Sequence, residues 1–117
     1  MPPTLADRLI HILNAIRSIE ELLVGKTLAD FSSSRHNRAI LERELEVISE
    51  ASRKLPDDIK NTELPIDWAA MNALGNRLRH AYHQIDVGIL HSIAVDDLPL
   101  LRSFVEKALD KDGRSEP

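Results

Sequence analysis

Thr4-Leu5-Ala6-Asp7-Arg8-Leu9-Ile10-His11-Ile12-Leu13-Asn14-Ala15-Ile16-Arg17-Ser18-Ile19-Glu20-Glu21-Leu22-Leu23 decides the fold class. Leu5, Leu9, Ile12, Ile16, Ile19 and Leu23 step by four and three, so they form one apolar stripe on an α-helix. Thr4 stands at the N-cap, and Asp7 falls three residues later, where a capping box needs an acceptor. The helix is expected to run to about Gly25.

The same period recurs downstream. Thr27 to Ser34 reads as a connector whose serines can cap the next helix. That second helix carries Leu41, Leu45, Ile48, Ala51 and Leu55 on one face and stops at Pro56. Asp57 to Pro65 has turn chemistry and few apolar residues, as a linker does. A third helix begins near Ile66, with Met71, Leu74, Leu78, Ala81 and Ile85 as its stripe. A shorter helical stretch follows from Val87 to Ala94. Asp96 or Asp97 is expected to cap a last helix that tolerates Pro99 in its first turn and presents Leu101, Phe104, Val105, Ala108 and Leu109. No strand-like alternation and no internal repeat occur. Helices of this length on short links predict an all-α, antiparallel four- to five-helix bundle.

Composition agrees with one domain over residues 1–117, with 110–117 as a frayed tail. The only aromatics are Phe31, Trp68, Tyr82 and Phe104, so the core must be aliphatic. The chain has no cysteine, which excludes disulfides and thiol nucleophiles. A formal net charge of −4 disfavours bulk attraction to nucleic acid, so any such contact must be local. No apolar run approaches a membrane span and the start lacks a signal-peptide pattern, so a soluble cytoplasmic protein is expected.

One window departs from the acidic background. No Asp or Glu occurs from Trp68 through Ile85, while Arg77, Arg79, His80 and His83 all fall there. Such a window suits a negatively charged ligand, a phosphate above all. On a wheel of about 100° per residue, Asn72, Asn76, His80 and His83 share the side opposite Leu78. That side is either a site or a plain solvated face. Gly75 is costly in mid-helix, by about 0.5–1 kcal/mol relative to Ala. It allows either close packing of a neighbouring helix or room for a ligand. Arg79 lies one turn beyond Gly75 on the same column and leans back over it.

Leu64-Pro65-Ile66-Asp67-Trp68, then Asn76, His80-x-Tyr82, Ile85-Asp86 and Asp97-Leu98-Pro99-x-Leu101 resemble the HepT-like branch of the HEPN superfamily. The resemblance spans nearly the whole chain and implies an all-α bundle that pairs as a homodimer. The family motif is Arg-polar-x-x-x-His, extended to His-x-Tyr. Asn76, His80 and Tyr82 match the polar, histidine and tyrosine positions, and Gly75 occupies the arginine position. The resemblance implies metal-independent cleavage of RNA in a cleft between protomers, with no cofactor and with His80 as general acid or base. Histidine's ordinary titration near neutrality suits that role. It also implies a toxin paired with a cognate minimal nucleotidyltransferase as antitoxin, which adenylylates the tyrosine, here Tyr82.

The departure at Gly75 has two readings. In one, Arg79 replaces the missing phosphate clamp and Arg77 flanks it. In the other, the chain is a silent module that binds a nucleotidyltransferase or nucleic acid without cutting. A carboxylate-bridged metal centre lacks its Glu-x-x-His motifs here. A DNA-binding helix-turn-helix lacks the basic stripe, so DNA is not expected as a partner. Arg35, His36 and Arg38 form a second small basic cluster, read as a solvated helix end that can help hold RNA.

Overall fold

A computed structural model describes residues 2–80 and 85–112. Among them every regular element is helical: α1 (Leu5–Leu23), α2 (Leu28–Ser33), α3 (Arg35–Arg53), α4 (Asp57–Lys60), α5 (Trp68–His80), α6 (Val87–Ser92), a π-helical turn (Ile93–Asp97) and α7 (Leu98–Lys111). The expected all-α bundle is the observed one. Helix α1 packs against α3 and α7, and α3 packs against α5 on its other side.

The caps follow the sequence. Thr4 accepts from the Asp7 backbone N–H at 3.1 Å, and the Asp7 carboxylate takes the Thr4 N–H at 2.9 Å. Leu9, Ile12, Ile16 and Ile19 of the stripe are fully buried. Gly25 turns the chain out of α1 with φ of 70°, a conformation that favours glycine. The connector contains a further helix, because Thr27 and Asp30 form a second capping box and Phe31 buries completely. Ser34 then caps α3 by accepting from Asn37. The linker likewise holds one short turn, α4.

The largest departure lies at the C-terminal end. Asp97 stands at the N-cap position of α7, with Pro99 in the first turn as expected, but its side chain makes no cap hydrogen bond and α7 is not a separate helix. Asp97 has helical dihedrals, and the Asp96 carboxylate accepts from the Ser92 hydroxyl at 3.0 Å. Helix α6 runs on into α7 through the π-turn, in which the Leu98 N–H reaches back to the Ile93 carbonyl. Pro99 explains this physically. It has no N–H to donate, and its ring disfavours an ordinary α-turn before it. The wider turn absorbs that break and keeps Ala94 and Leu98 both facing the core. Helix α7 stays helical to Lys111, and residues 113–117 lie outside the described residues.

One side chain anchors the start of α5 and another the segment at Ile85. The Trp68 indole donates to the Lys60 carbonyl at 3.2 Å and sets its ring edge against Phe104, centroids 4.9 Å apart. Below α5, Arg38 donates to the Ile85 carbonyl and stands 3.5 Å from Glu42. Arg38 is thus half-buried and structural, unlike the exposed Arg35 and His36. Among the described residues no helix is long and apolar enough to cross a membrane.

Candidate active site

Helix α5 buries Leu74 and Gly75 and leaves Asn72, Asn76, Arg77 and His80 exposed. The division follows the wheel. Met71, Leu74 and Leu78 line the packed side, and the polar residues stand clear of it. His80 therefore sits in solvent at the end of the helix and is not a core histidine. Tyr82 of the motif, and Ala81 and His83 beside it, lie outside the described residues.

Gly75 faces Ser49 of α3. A Cβ placed on Gly75 would stand 1.8 Å from the Ser49 hydroxyl oxygen and 2.6 Å from its Cβ. Ser49 is 1 % exposed and donates to the Met71 carbonyl at 2.9 Å. The glycine is therefore a point of close helix approach, and the close-packing reading accounts for it. A side chain cannot be restored there unless Ser49 moves.

Arg79 lies over this crossing, as its column predicts. One guanidinium nitrogen would be 3.3 Å from that same Cβ. It does not hang free. Nη1 is 3.0 Å from Glu50 Oε2, and Nη2 donates to the Asn76 side-chain oxygen. Asn76 and Arg79 are thus joined into one unit on the exposed side of α5, with His80 next in the chain. Arg77 is also exposed, and among the described residues no such link joins it to this unit.

Glu50 is the hub that sequence reasoning missed. Its carboxylate pairs with Arg53 at 2.6 Å, Lys54 at 3.4 Å and Arg79 at 3.0 Å. The hydrogen bond from Arg53 is the chief reason that its pKa is held below the ordinary value, and Lys54 adds to the effect. Burial raises the pKa, by more than either Lys54 contribution lowers it, without reversing the net fall. Nothing in the acid-rich run of α3 singles Glu50 out. Ser49 was more legible, since a small polar residue beside the stripe opposite a mid-helix glycine marks a tight crossing. Among the described residues no three His, Asp or Glu side chains converge as a metal-binding group.

Residues 12–108 match the ribonuclease HepT-like family. The chain belongs to that family. A Thermococcus cleftensis protein named "Probable ribonuclease HepT" is 35 % identical over 101 residues, covering 86 % of this chain and 92 % of that one. A Methanocaldococcus jannaschii protein that carries an RNase name is 31 % identical over 98 residues, covering 84 % and 90 %. A second from that organism, also named as an RNase, is 28 % identical over 109 residues, covering 92 % and 90 %. No solved structure gives a significant match. The HepT-like assignment carries the all-α HEPN bundle and a ribonuclease reading of the chain.

Proposed function

We propose that this protein is a metal-independent endoribonuclease whose site is completed by a second copy of the chain. The observation that carries the reading is the grouping of Asn76, Arg79 and His80 at one exposed end of α5, with Asn76 and Arg79 already bonded. His80 takes the proton of a ribose 2′-OH, and that oxygen attacks the adjacent phosphorus. The P–O5′ bond breaks, and the leaving oxygen needs a proton from an acid. The family resemblance implies a cleft between two protomers, and in it the His80 of a second copy supplies that acid. Arg79 stands in for the missing arginine as the partner of the charge that grows on the phosphate, and Arg77 flanks it. The products are a 2′,3′-cyclic phosphate and a 5′-hydroxyl.

In the cell this enzyme acts as a toxin held in check by a cognate nucleotidyltransferase that adenylylates Tyr82. The test is cleavage of a defined RNA in EDTA, with end-group analysis of the products. Loss of a charge partner in the transition state costs about 10²–10³ in rate. Arg79→Ala should fall by that factor, and Arg77→Ala should fall far less. Activity that requires a divalent ion, or full activity in Arg79→Ala, refutes the mechanism.

A second reading rests on a specific feature. Ser49 fills the space beside Gly75, and Glu50 holds Arg79, so the phosphate clamp is both absent from its usual place and engaged elsewhere. That favours a silent module that binds RNA or a nucleotidyltransferase without cutting. RNA binding by a dimer that leaves RNA intact under all conditions decides for it.

A further inference from the structure

Arg79 faces two ways. Beyond Gly75 it also lines a shallow groove of about 280 Å³ between α1 and α3. Four cations, Arg8, Arg43, Lys54 and Arg79, border this groove together with His11. Two carboxylates, Glu46 and Glu50, stand against them. The groove is therefore locally positive on a chain whose formal net charge is −4. A concave surface with an excess of one sign concentrates ligands of the other.

The order of these residues makes a track. Arg43, Glu46, Glu50 and Lys54 follow one side of α3, and Arg43 lies about 16 Å from Lys54 along the helix at 1.5 Å per residue. Arg8 and His11 form the opposite wall from α1. Arg79 lines the groove from α5 beside Glu50, and His80 is its neighbour in the chain. The ion pairs within the groove do not block it. Glu50 with Lys54 and Arg79, and Arg43 with Glu46, are pairs between partly exposed groups. Such pairs contribute little, so a phosphate can displace them. Among the described residues that line the groove there is no Phe, Tyr or Trp, and His11 alone carries a ring. The groove offers mainly charge to a backbone and little surface on which bases can stack.

We infer that this groove binds the sugar-phosphate backbone of single-stranded RNA and leads it to Arg79 and His80, without choosing among bases. The inference rests on the ribonuclease reading for its direction but is tested without cleavage. A fluorescent 2′-O-methyl RNA of a dozen nucleotides cannot be cut through its 2′ oxygen, so binding to the wild-type chain is read by anisotropy across a range of KCl. Each phosphate contact in a single strand contributes about 0.7 to the slope of log K against log salt.

The triple variant Arg8→Gln, Arg43→Gln, Lys54→Gln should lower that slope by about 2, which is about 100-fold weaker binding at 0.1 M salt. Arg8→Gln alone should lower it by about 0.7, a check that holds if the triple variant folds poorly. A control with the same charge change outside the groove, Lys26→Gln, Lys107→Gln, Lys111→Gln, should stay close to wild type. Poly(U) and poly(A) versions should bind alike. The inference is overturned if the wild-type chain binds no RNA, if the groove variants bind as wild type does, or if the control loses as much. It is also overturned if the groove variants lose only a protein partner. A chain that binds RNA through the groove yet never cuts unmodified RNA supports the track and removes the ribonuclease reading.

Discussion

Gly75→Ala asks what the glycine is for. The substitution gains about 0.5–1 kcal/mol of helix preference, because glycine is the more costly residue in mid-helix. Against this stands the crossing with α3, where the new methyl would lie 1.8 Å from the Ser49 hydroxyl oxygen and 2.6 Å from its Cβ. Neither atom can easily yield. Ser49 is 1 % exposed, and its hydroxyl is committed to the Met71 carbonyl. Overpacking of this kind costs about 1–3 kcal/mol. The steric cost is the larger, so the variant should be less stable by about 1–2 kcal/mol. At about 4 °C or more per kcal/mol for a domain of this size, the melting temperature should fall by roughly 4–8 °C.

Ser49→Gly removes both clashing atoms. The double variant should therefore cost less than the two single changes together, by about 1–3 kcal/mol of coupling. Thermal and denaturant unfolding of the four proteins complete the cycle. If Gly75→Ala is as stable as wild type, or the two changes simply add, the tight crossing is wrong and Gly75 needs another explanation.

Arg38→Ala should destabilise by about 1–3 kcal/mol in denaturant unfolding, because it leaves the Ile85 carbonyl without its charged donor; no change would return Arg38 to the solvated helix end. Glu50 has a depressed pKa, so its contribution to stability is fully present above the ordinary value of 4.5 and lost as the pH falls through and below it. The difference in melting temperature between wild type and Glu50→Gln should then be small, constant from about pH 6 upward, and absent in acid. A difference that persists in acid would point to packing instead of charge. Co-expression with a cognate nucleotidyltransferase should add nucleotide mass to the chain, and Tyr82→Phe should abolish the gain in intact-mass spectrometry. Unmodified protein beside an active partner leaves neutralisation by binding alone.

Periodicity carried most of the fold. The stripe from Leu5 to Leu23, the Thr4–Asp7 box and the stop at Pro56 depend on residues within a turn or two of each other, and local rules suffice for them. At the α6–α7 junction Asp97-Leu98-Pro99 marks the helix start correctly but hides the continuity with α6. Here the core contacts of Ala94 and Leu98 outweigh that local preference, and the π-turn reconciles them. The same limit applies to the site. The exposed face of Asn76 and His80 follows from spacing alone, and so does the lean of Arg79 over Gly75. The partners of Arg79 do not, because Glu50 lies 29 residues away and reaches it only once α3 packs on α5. Arg8 and His11 were likewise invisible as site neighbours, since a polar residue on an amphipathic helix reads as solvated whatever stands across from it.

The most direct test is cleavage of an unstructured RNA by the purified protein in EDTA, wild type beside His80→Ala. His80 is exposed, so the variant should unfold within about 0.5 kcal/mol of wild type, and melting curves establish that both are folded. Wild type should produce 2′,3′-cyclic phosphate ends while folded His80→Ala produces none above background. Equal cleavage by the two proteins, or none by either, contradicts a ribonuclease built on His80.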